Sequence, residues 1–297
     1  MIILSAGSCY QLYAQDPRLP GVNLGLTSIQ SGVMKAPGWS YLQYFQVYES
    51  EKVPVNGGDG KIIYERSSSV SSLHQVIFRI NLKILNGQLG GTALLSLSTR
   101  TATGAQTVNP NPIGDALAGP FLEWQHHWRQ TQLHYRVGVN FVFPTGAYSS
   151  RYTFNAGANR FRYFPHLEVT FMPAEEFAIS IKNNLYIFSR ESGSGAKSGT
   201  AYNLNYAFEY KVATRFTIAA VGYLLTQLEQ DSFYGDKNYY KNKYGITDSK
   251  ERVAAAGPGL LYKTTKGTSL ELKAAWEFAE KNRTPGFRST LVLAFPL

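Results

Sequence analysis

The chain of 297 residues has a single cysteine, Cys9, and few charged side chains. One cysteine excludes a disulfide within the chain and a cysteine metal cluster. Aspartate, glutamate, lysine and arginine make up 16% of the sequence, against about 25% in soluble globular proteins. This shortage of charge argues against an ordinary soluble surface.

Long apolar runs are also missing, since no stretch of about 18 apolar residues could form a membrane helix. Aromatic residues are abundant instead, with 20 tyrosines and 17 phenylalanines. Low charge, many aromatics and no apolar run together are typical of a transmembrane β-barrel, whose strands show lipid only every second residue. A soluble β-sandwich alternates in the same way and is the rival interpretation at this point.

The formal net charge of +9 could attract a nucleic acid, an anionic lipid or an anionic solute. No basic helix, run of five basic residues or zinc-finger spacing is present, so we expect no nucleic-acid partner. The neighbours His126 and His127 would point to opposite faces of a strand and could not share a metal ion. We expect no metal and no cofactor.

The first 38 residues precede the regular pattern. Residues 1–15 are interpreted as the remainder of an export leader. Within them Ala6-Gly7-Ser8-Cys9 resembles a lipoprotein box only weakly, and both lipidation of Cys9 and an unmodified cysteine stay open. Residues 16–38 are interpreted as an N-terminal arm. A simple connection to the first strand is favoured over a plug in the lumen.

From Trp39 onward, apolar residues alternate with polar ones and turn residues separate the segments, so residues 39–297 form an all-β domain. The clearest case is the end of the chain, where one face of a strand carries Leu270, Leu272 and Trp276 and the other carries Glu271 and Lys273. The pattern predicts about twelve strands of bilayer-spanning length. They lie at about 39–51, 75–86, 91–101, 119–130, 131–144, 162–172, 176–190, 200–212, 214–230, 252–263, 267–281 and 286–297.

The predicted connections alternate between tight joins and long polar loops. The long loops lie at about 52–74, 102–118, 145–161, 191–199 and 231–251. A Greek-key sandwich has no reason to keep this order. The order predicts a transmembrane antiparallel up-and-down β-barrel in the bacterial outer membrane, with both termini periplasmic and with the last strand paired to the first.

If the apolar faces meet lipid, the polar faces line a lumen with a basic excess. Two interpretations stay open: acids and bases pair across strands, or they form an electropositive constriction. The candidate lumen-lining residues are Arg79, Lys83, Arg100, Glu123, Arg136, Glu168, Lys182, Glu209, Lys211, Glu271, Lys273, Glu277 and Arg288, with Arg129 as a further possibility. Inward apolar patches are expected from Phe121, Phe164, Tyr186 and Phe188. Aromatic girdles are expected from Tyr41, Tyr44, Phe45, Tyr48, Trp124, Trp128, Phe171, Phe177, Trp276 and Phe278.

Signatures of catalysis are weak. There is no G-x-S-x-G motif and no glycine phosphate loop, and His74 falls after Ser72 in a predicted loop rather than on a strand face. No serine and histidine share a predicted strand face with an orienting acid. We therefore expect no enzymatic activity and no catalytic residues.

Several short segments together resemble a known family. They are Asn23-Leu24-Gly25-Leu26-Thr27-Ser28-Ile29, Ala36-Pro37-Gly38, Phe143-Pro144-Thr145-Gly146, Val221-Gly222-Tyr223, Ala256-Gly257-Pro258 and Trp276-Glu277-Phe278 before Lys281-Asn282-Arg283. In order and spacing the chain resembles the outer-membrane proteins named for a "putative MetA-pathway of phenol degradation". The resemblance implies a twelve-stranded outer-membrane barrel associated with the catabolism of aromatic compounds and proposed to admit small hydrophobic molecules.

The expected function is passive uptake of small hydrophobic or aromatic molecules, feeding an aromatic-degradation pathway. The expected partners are outer-membrane lipid, the permeant and, during biogenesis, the barrel-assembly machinery, with the protein a monomer. The alternative is a closed structural or surface-binding barrel with a plugged lumen, whose extracellular loops contact a partner.

Overall fold

The computed structural model describes residues 22–27, 29–56, 62–102 and 107–297. The predicted leader with Cys9 and the first part of the arm, residues 16–21, lie outside the described residues. Twelve long strands form one sheet. They are β1 (Gly38–Asn56), β2 (Ile62–Ile84), β3 (Gly87–Ala102), β4 (Ala116–Trp128), β5 (Thr131–Phe143), β6 (Arg162–Met172), β7 (Phe177–Phe188), β9 (Ala201–Ala213), β10 (Phe216–Gln227), β12 (Arg252–Lys263), β13 (Ser269–Lys281) and β14 (Phe287–Pro296); the short strands β8 (Ala196–Lys197) and β11 (Ser232–Phe233) and the helix α1 (Tyr239–Tyr244) lie between them.

Each long strand pairs antiparallel with the next, and β14 returns to β1. In the closing pair Ser40 lies opposite Pro296 and Glu49 lies opposite Phe287. Closure leaves the sheet without a free edge, so every strand has backbone partners on both sides. The predicted up-and-down barrel of twelve strands and the predicted pairing of its last strand with its first are both confirmed.

The two rims of the barrel differ as the connection lengths predicted. One rim, here called the turn rim, carries the start of β1, the end of β14 and the tight turns at 85–86, 129–130, 173–176, 214–215 and 264–268. At the first of these Leu85 and Asn86 both have positive φ, of 51° and 61°, as a two-residue hairpin turn requires. The opposite rim, the loop rim, carries the longer connections.

The predicted loop at 52–74 is wrong, because most of it belongs to strands. β1 continues to Asn56, β2 begins at Ile62, and within the ladder Ser50 pairs with Ser67 and Phe45 with Ser72. The serines give little hydrophobic contrast between the two faces, so alternation is hard to recognise there. Backbone pairing with neighbours on both sides holds them extended regardless.

Large apolar side chains cover the outside of the barrel. Trp128, Phe177 and Leu272 are each more than half exposed there, and Phe177 packs against Tyr210 with ring centroids 4.8 Å apart. Such a surface matches the lipid-facing band of a membrane barrel. Tyr44 and Tyr48 do not belong to the predicted girdles, because β1 places its even-numbered residues inward. Among the residues described, no helix is long and apolar enough to cross a membrane.

Candidate functional site: the barrel lumen

The described part of the N-terminal arm, residues 22–27 and 29–35, lies inside the barrel, so the favoured interpretation as a simple connection is wrong. The backbone nitrogen of Gln30 donates to Glu209 Oε1 at 3.0 Å, and that of Gly32 donates to Thr170 Oγ1 at 3.0 Å. Nearer the loop rim, Asn205 Nδ2 donates to the carbonyl of Asn23 at 3.0 Å. These partners belong to β6 and β9, and the wall from β6 to β13 is therefore called the arm-bearing wall.

Two glycines let the arm approach this wall closely. A Cβ atom on Gly32 would lie 2.7 Å from the backbone nitrogen of Thr170, closer than non-bonded atoms allow. Gly25 has a φ of +67° and lies against the ring of Tyr223. Leu24, next to Gly25, is buried in a cluster with Tyr186. The arm is thus held by backbone contact as well as by an apolar anchor.

Among the residues that the structure describes, two sizeable cavities lie beside the arm. The turn-side cavity, of about 160 Å³, reaches Lys35, Arg79 and Lys263. The loop-side cavity, of about 390 Å³, reaches Tyr48 and Arg162. Both are lined by the same residues at mid-height, so they adjoin one another. Those shared residues are Leu26, Thr27, Tyr44, Gln75, Asn140 and Lys182.

The strands from β2 to β4 form the open wall of the lumen, which no described hydrogen bond from the arm reaches. Its inner face carries Ser69, Ser71, Ser96 and Ser98 along the loop-side cavity. Small hydroxyl side chains leave room and offer both donors and acceptors. Free space in the lumen therefore borders the open wall.

Five of the predicted lumen residues form one ion-pair ladder across strands β2 to β7. Glu123 lies between Arg79, at 2.7 Å, and Arg136, at 2.9 Å. Glu168 in turn lies between Arg136, at 3.4 Å, and Lys182, at 2.8 Å. All five side chains are buried. For these residues the structure shows the cross-strand pairing that was one of the two interpretations left open by the sequence.

The ladder has three bases and two acids, so it keeps a positive excess. Phe121 lies beneath it, with its ring centre 4.4 Å from the guanidinium carbon of Arg136. Each acid is shared by two bases at short distance, which is the geometry needed to offset the cost of burying charge. The ladder is a rigid polar belt that narrows the lumen at mid-height.

A second cluster surrounds Glu277 near the loop rim. Glu277 accepts hydrogen bonds from the hydroxyls of Tyr223, at 2.7 Å, and Tyr48, at 2.9 Å. Arg288 and Arg283 approach the same carboxylate at 3.6 Å and 3.5 Å. Arg288 also lies over the ring of Tyr48, 4.4 Å from its centre. The cluster fixes two arginines along the loop-side cavity.

The other predicted lumen residues take different positions. Lys273 pairs with Glu271 and donates to the carbonyl of Leu26 in the arm at 2.8 Å. Lys211 pairs with Glu175 at the turn rim, and Arg100 lies over the ring of Phe154, 3.7 Å from its centre. The inward apolar residues are as predicted, since all four are buried. They are Phe121, Phe164, Tyr186 and Phe188.

Lys83 and Arg129 lie at the turn rim and are not among the residues that line the two cavities. Lys83 is exposed beside the turn at 85–86, beyond a shift in strand register after Arg79. Arg129 is exposed in its own turn, with a φ of 56°. Lys83 keeps the predicted inward register, because it pairs with Gln88, which lies opposite the inward Glu123. Arg129 belongs to a turn, in which strand alternation does not apply.

Sequence reasoning missed the serine-lined wall and Arg162. Ser69 and Ser71 fell in the predicted loop, because serine stands on both faces of residues 67–72 and gives no alternation to recognise. Arg162 stands at the start of β6, which was predicted, but it was not among the predicted lumen residues. Its contacts depend on the closed barrel and could not be read from spacing.

A polar patch also interrupts the outer face. Ser72 Oγ lies 3.2 Å from His74 Nε2, and His74 Nδ1 lies 2.6 Å from the hydroxyl of Tyr41. The sequence placed His74 in a loop and so did not predict this contact. Each member of the patch therefore has a hydrogen-bond partner within an otherwise apolar surface. Among the described residues, no group of three potential metal ligands is close enough to hold an ion.

Comparisons with known proteins agree with this architecture. An outer membrane channel from Pseudomonas putida F1 matches with a TM-score of 0.73 at 14% identity, covering 90% of this chain and 97% of that chain. The transport unit of the autotransporter AIDA-I from Escherichia coli is more distant, with a TM-score of 0.48 at 10% identity, covering 96% of this chain and 95% of that one. A search of curated proteins gives no match.

The fold is that of bacterial outer-membrane barrels. A profile of the family described as "Putative MetA-pathway of phenol degradation" matches residues 52–291, which is most of the chain. The protein therefore belongs to this family.

Proposed function

We propose that the protein is an outer-membrane channel for passive uptake of small hydrophobic or aromatic molecules, which it supplies to an aromatic-degradation pathway. The observation that carries the proposal is the pair of adjoining cavities between the arm and the open wall. Together they follow the lumen from residues near the turn rim to residues near the loop rim. A barrel built only as a scaffold has no need of such a path.

The lining supports a small amphiphilic solute rather than a large sugar. Hydroxyls from the open wall face the loop-side cavity on one side, and Leu117, Val142 and Phe164 line it elsewhere. The arm and the ladder narrow the lumen at mid-height, so only small molecules fit. In this proposal the loop rim is extracellular and the turn rim is periplasmic, as in other barrels with short periplasmic turns.

The test is conductance together with solute uptake. Purified protein in planar bilayers is expected to give discrete conductance steps, and proteoliposomes are expected to swell faster in phenol or benzyl alcohol than in a disaccharide. The unheated protein should run as a compact folded band on a denaturing gel, which verifies insertion. Folded protein that gives neither conductance nor swelling would rule out the channel.

A second function is favoured by one loop. Between β10 and β12, the rings of Phe233 and Tyr239 stack with centroids 4.2 Å apart. Tyr234 and Tyr244 are exposed, and Lys243 lies over the ring of Tyr244. Exposed aromatic and basic side chains are typical of contact surfaces. In this alternative the barrel is closed and its loops bind a partner.

Replacing residues 233–246 by a glycine-serine linker separates the two functions. If the barrel is a channel, the variant keeps conductance and swelling. If the barrel is a surface-binding scaffold, the wild type shows neither property and the variant loses attachment of cells to surfaces.

A further inference from the structure

Arg162 differs from the other cations that line the loop-side cavity. Lys182 pairs with Glu168, and Arg283 and Arg288 both approach Glu277. The Nε and Nη1 atoms of Arg162 are buried and have no hydrogen-bond partner in the part of the chain that the structure describes. A guanidinium keeps its charge under all ordinary conditions. Burying its donors without acceptors costs free energy that an anion would recover.

The acid in the same cavity, Asp115, attracts the Arg162 guanidinium through its charge but makes no described hydrogen bond to it. Asp115 Oδ1 accepts from the backbone nitrogen of Gly146 at 3.1 Å, and Oδ2 accepts from that of Ala158 at 3.0 Å. Asp115 therefore holds the loop between β5 and β6 in place. It makes no ion pair with Arg162 among the described contacts.

A second donor lies close to Arg162. Arg162 pairs across the strands with Phe188, and Tyr186 stands two residues earlier on the same inner face of β7. The Tyr186 hydroxyl accepts a hydrogen bond from the backbone nitrogen of Asn23 at 2.9 Å. Its own proton is then available to an acceptor in the cavity.

Apolar side chains also line the cavity near Arg162 and Tyr186. Leu117, Val142 and Phe164 line it, and the ring of Phe164 lies 4.6 Å from that of Tyr186. A cavity of about 150 Å³ is enough to bind benzene. The loop-side cavity, at about 390 Å³, therefore has room for a single aromatic ring with a short polar group.

We propose that the loop-side cavity contains a carboxylate-binding subsite for small aromatic acids. The Arg162 guanidinium binds the carboxylate, the Tyr186 hydroxyl donates to it, and the aromatic ring packs against Val142 and Phe164. This inference rests on the proposed function and narrows the permeant class from aromatic molecules in general to those that carry one carboxylate. Bidentate pairing with a planar carboxylate is what arginine does better than lysine.

The probe is benzoate, titrated calorimetrically into the purified protein in detergent, with benzamide as the neutral analogue of the same shape. Wild type is expected to bind benzoate at least about tenfold more tightly than benzamide, because only the carboxylate pairs with the guanidinium. Arg162→Met is expected to lose roughly 10- to 100-fold in benzoate affinity. Arg162→Lys should fall between the two, and Tyr186→Phe should lose a smaller factor.

The matched control is Arg129→Met, which removes the same charge from an exposed turn. It should bind benzoate as wild type does. The inference is overturned if Arg162→Met keeps wild-type affinity while folded, if benzamide binds as well as benzoate, or if Arg129→Met loses as much as Arg162→Met. Gel migration before and after heating verifies that each variant is folded.

Conductance and swelling with neutral solutes separate this inference from the proposed function. A channel that passes phenol but binds no benzoate overturns the subsite and leaves the channel standing. Benzoate binding that depends on Arg162, in a barrel without conductance, overturns the channel and leaves the subsite standing.

Discussion

The arm-bearing wall and the open wall of the lumen use similar polar side chains in different ways. On the arm-bearing wall, Asn205 and Glu209 hydrogen-bond to the backbone of the arm. On the open wall, Ser69 and Ser98 face a cavity. A segment that binds one side of a barrel thus narrows the lumen without filling it. The polar side chains that do not hydrogen-bond to this segment remain available to contact a solute in the lumen.

The largest effect on stability is expected from breaking the ion-pair ladder that joins the two walls. Glu123→Gln removes the charge shared by Arg79 and Arg136, which lie 2.7 Å and 2.9 Å from it. Breaking a buried ion pair by removing one partner costs about 3–5 kcal/mol. The measurement is the free energy of unfolding from urea titration in lipid vesicles.

Ser98→Ala on the open wall is the matched control for Glu123→Gln. It is expected to change stability by less than about 0.5 kcal/mol, since its side chain faces the cavity. Equal stability of the two variants would mean that the ladder does not brace the lumen.

A smaller effect is expected from separating the arm from its wall. In Gly32→Val the added Cβ would lie 2.7 Å from the Thr170 backbone nitrogen, and backbone cannot move aside. The arm should leave the wall at this point and the single-channel conductance should rise severalfold. Ser31→Ala, whose hydroxyl makes only a long contact of 3.5 Å with the carbonyl of Ile181, should conduct as wild type does. Unchanged conductance in Gly32→Val would show that the arm does not limit the path.

The contrast between the walls also explains what could be predicted from the sequence. Strands such as β13 were predicted because one face carries Leu272 and Trp276 and the other carries Lys273. This alternation arises because successive side chains of a strand face lipid and lumen in turn. Tight joins between strands were predicted because turn geometry is local. These features depend on neighbours in the chain.

The arm and the serine-lined wall could not be predicted because their partners are distant in sequence. Gly32 meets Thr170 only once β6 has been brought round by closure. Ser69 and Ser71 give no apolar contrast, so their strand is held by pairing alone. The lack of a partner at Arg162 is likewise a property of the assembled lumen.

The loops above the arm-bearing wall should show a pH dependence. Asp231 Oδ1 accepts from the backbone nitrogen of Gly199 at 2.9 Å, and its own backbone nitrogen donates to Ser249 Oγ at 2.8 Å, so it ties two loops together. Burial, aided by the nearby Glu251 carboxylate, raises the pKa of Asp231 from 3.8 to about 7. The protonated acid favours the ordered loops. The contribution of protonated Asp231 to the stability of the ordered loops is complete below about pH 4 and is lost as pH rises through about 7.

Asp231→Asn, a neutral mimic, should remove this dependence. At pH 8 the variant should open less readily than wild type, by about 1 to 4 kcal/mol in hydrogen exchange of residues 228–251 corrected for intrinsic rates. Asp248→Asn is the control of opposite sign, because the hydrogen bond from Lys281 lowers the pKa of Asp248 to about 2. Loss of that carboxylate should loosen the loop at pH 8. Wild-type exchange that is equal at pH 5 and pH 8 would contradict the assignment to Asp231.

The smallest effect on stability is expected at Lys211, a predicted lumen residue that lies at the turn-rim end of the arm-bearing wall and outside the ladder. Lys211 pairs at 2.6 Å with Glu175, which is largely exposed, and water competes fully for such a contact. Lys211→Met should leave the unfolding midpoint and the conductance unchanged. A loss of stability comparable to that of Glu123→Gln would show that a charge at any height along the barrel axis stabilises the barrel. A difference between the two variants would locate the stabilising charge in the buried belt that connects the open wall to the arm-bearing wall.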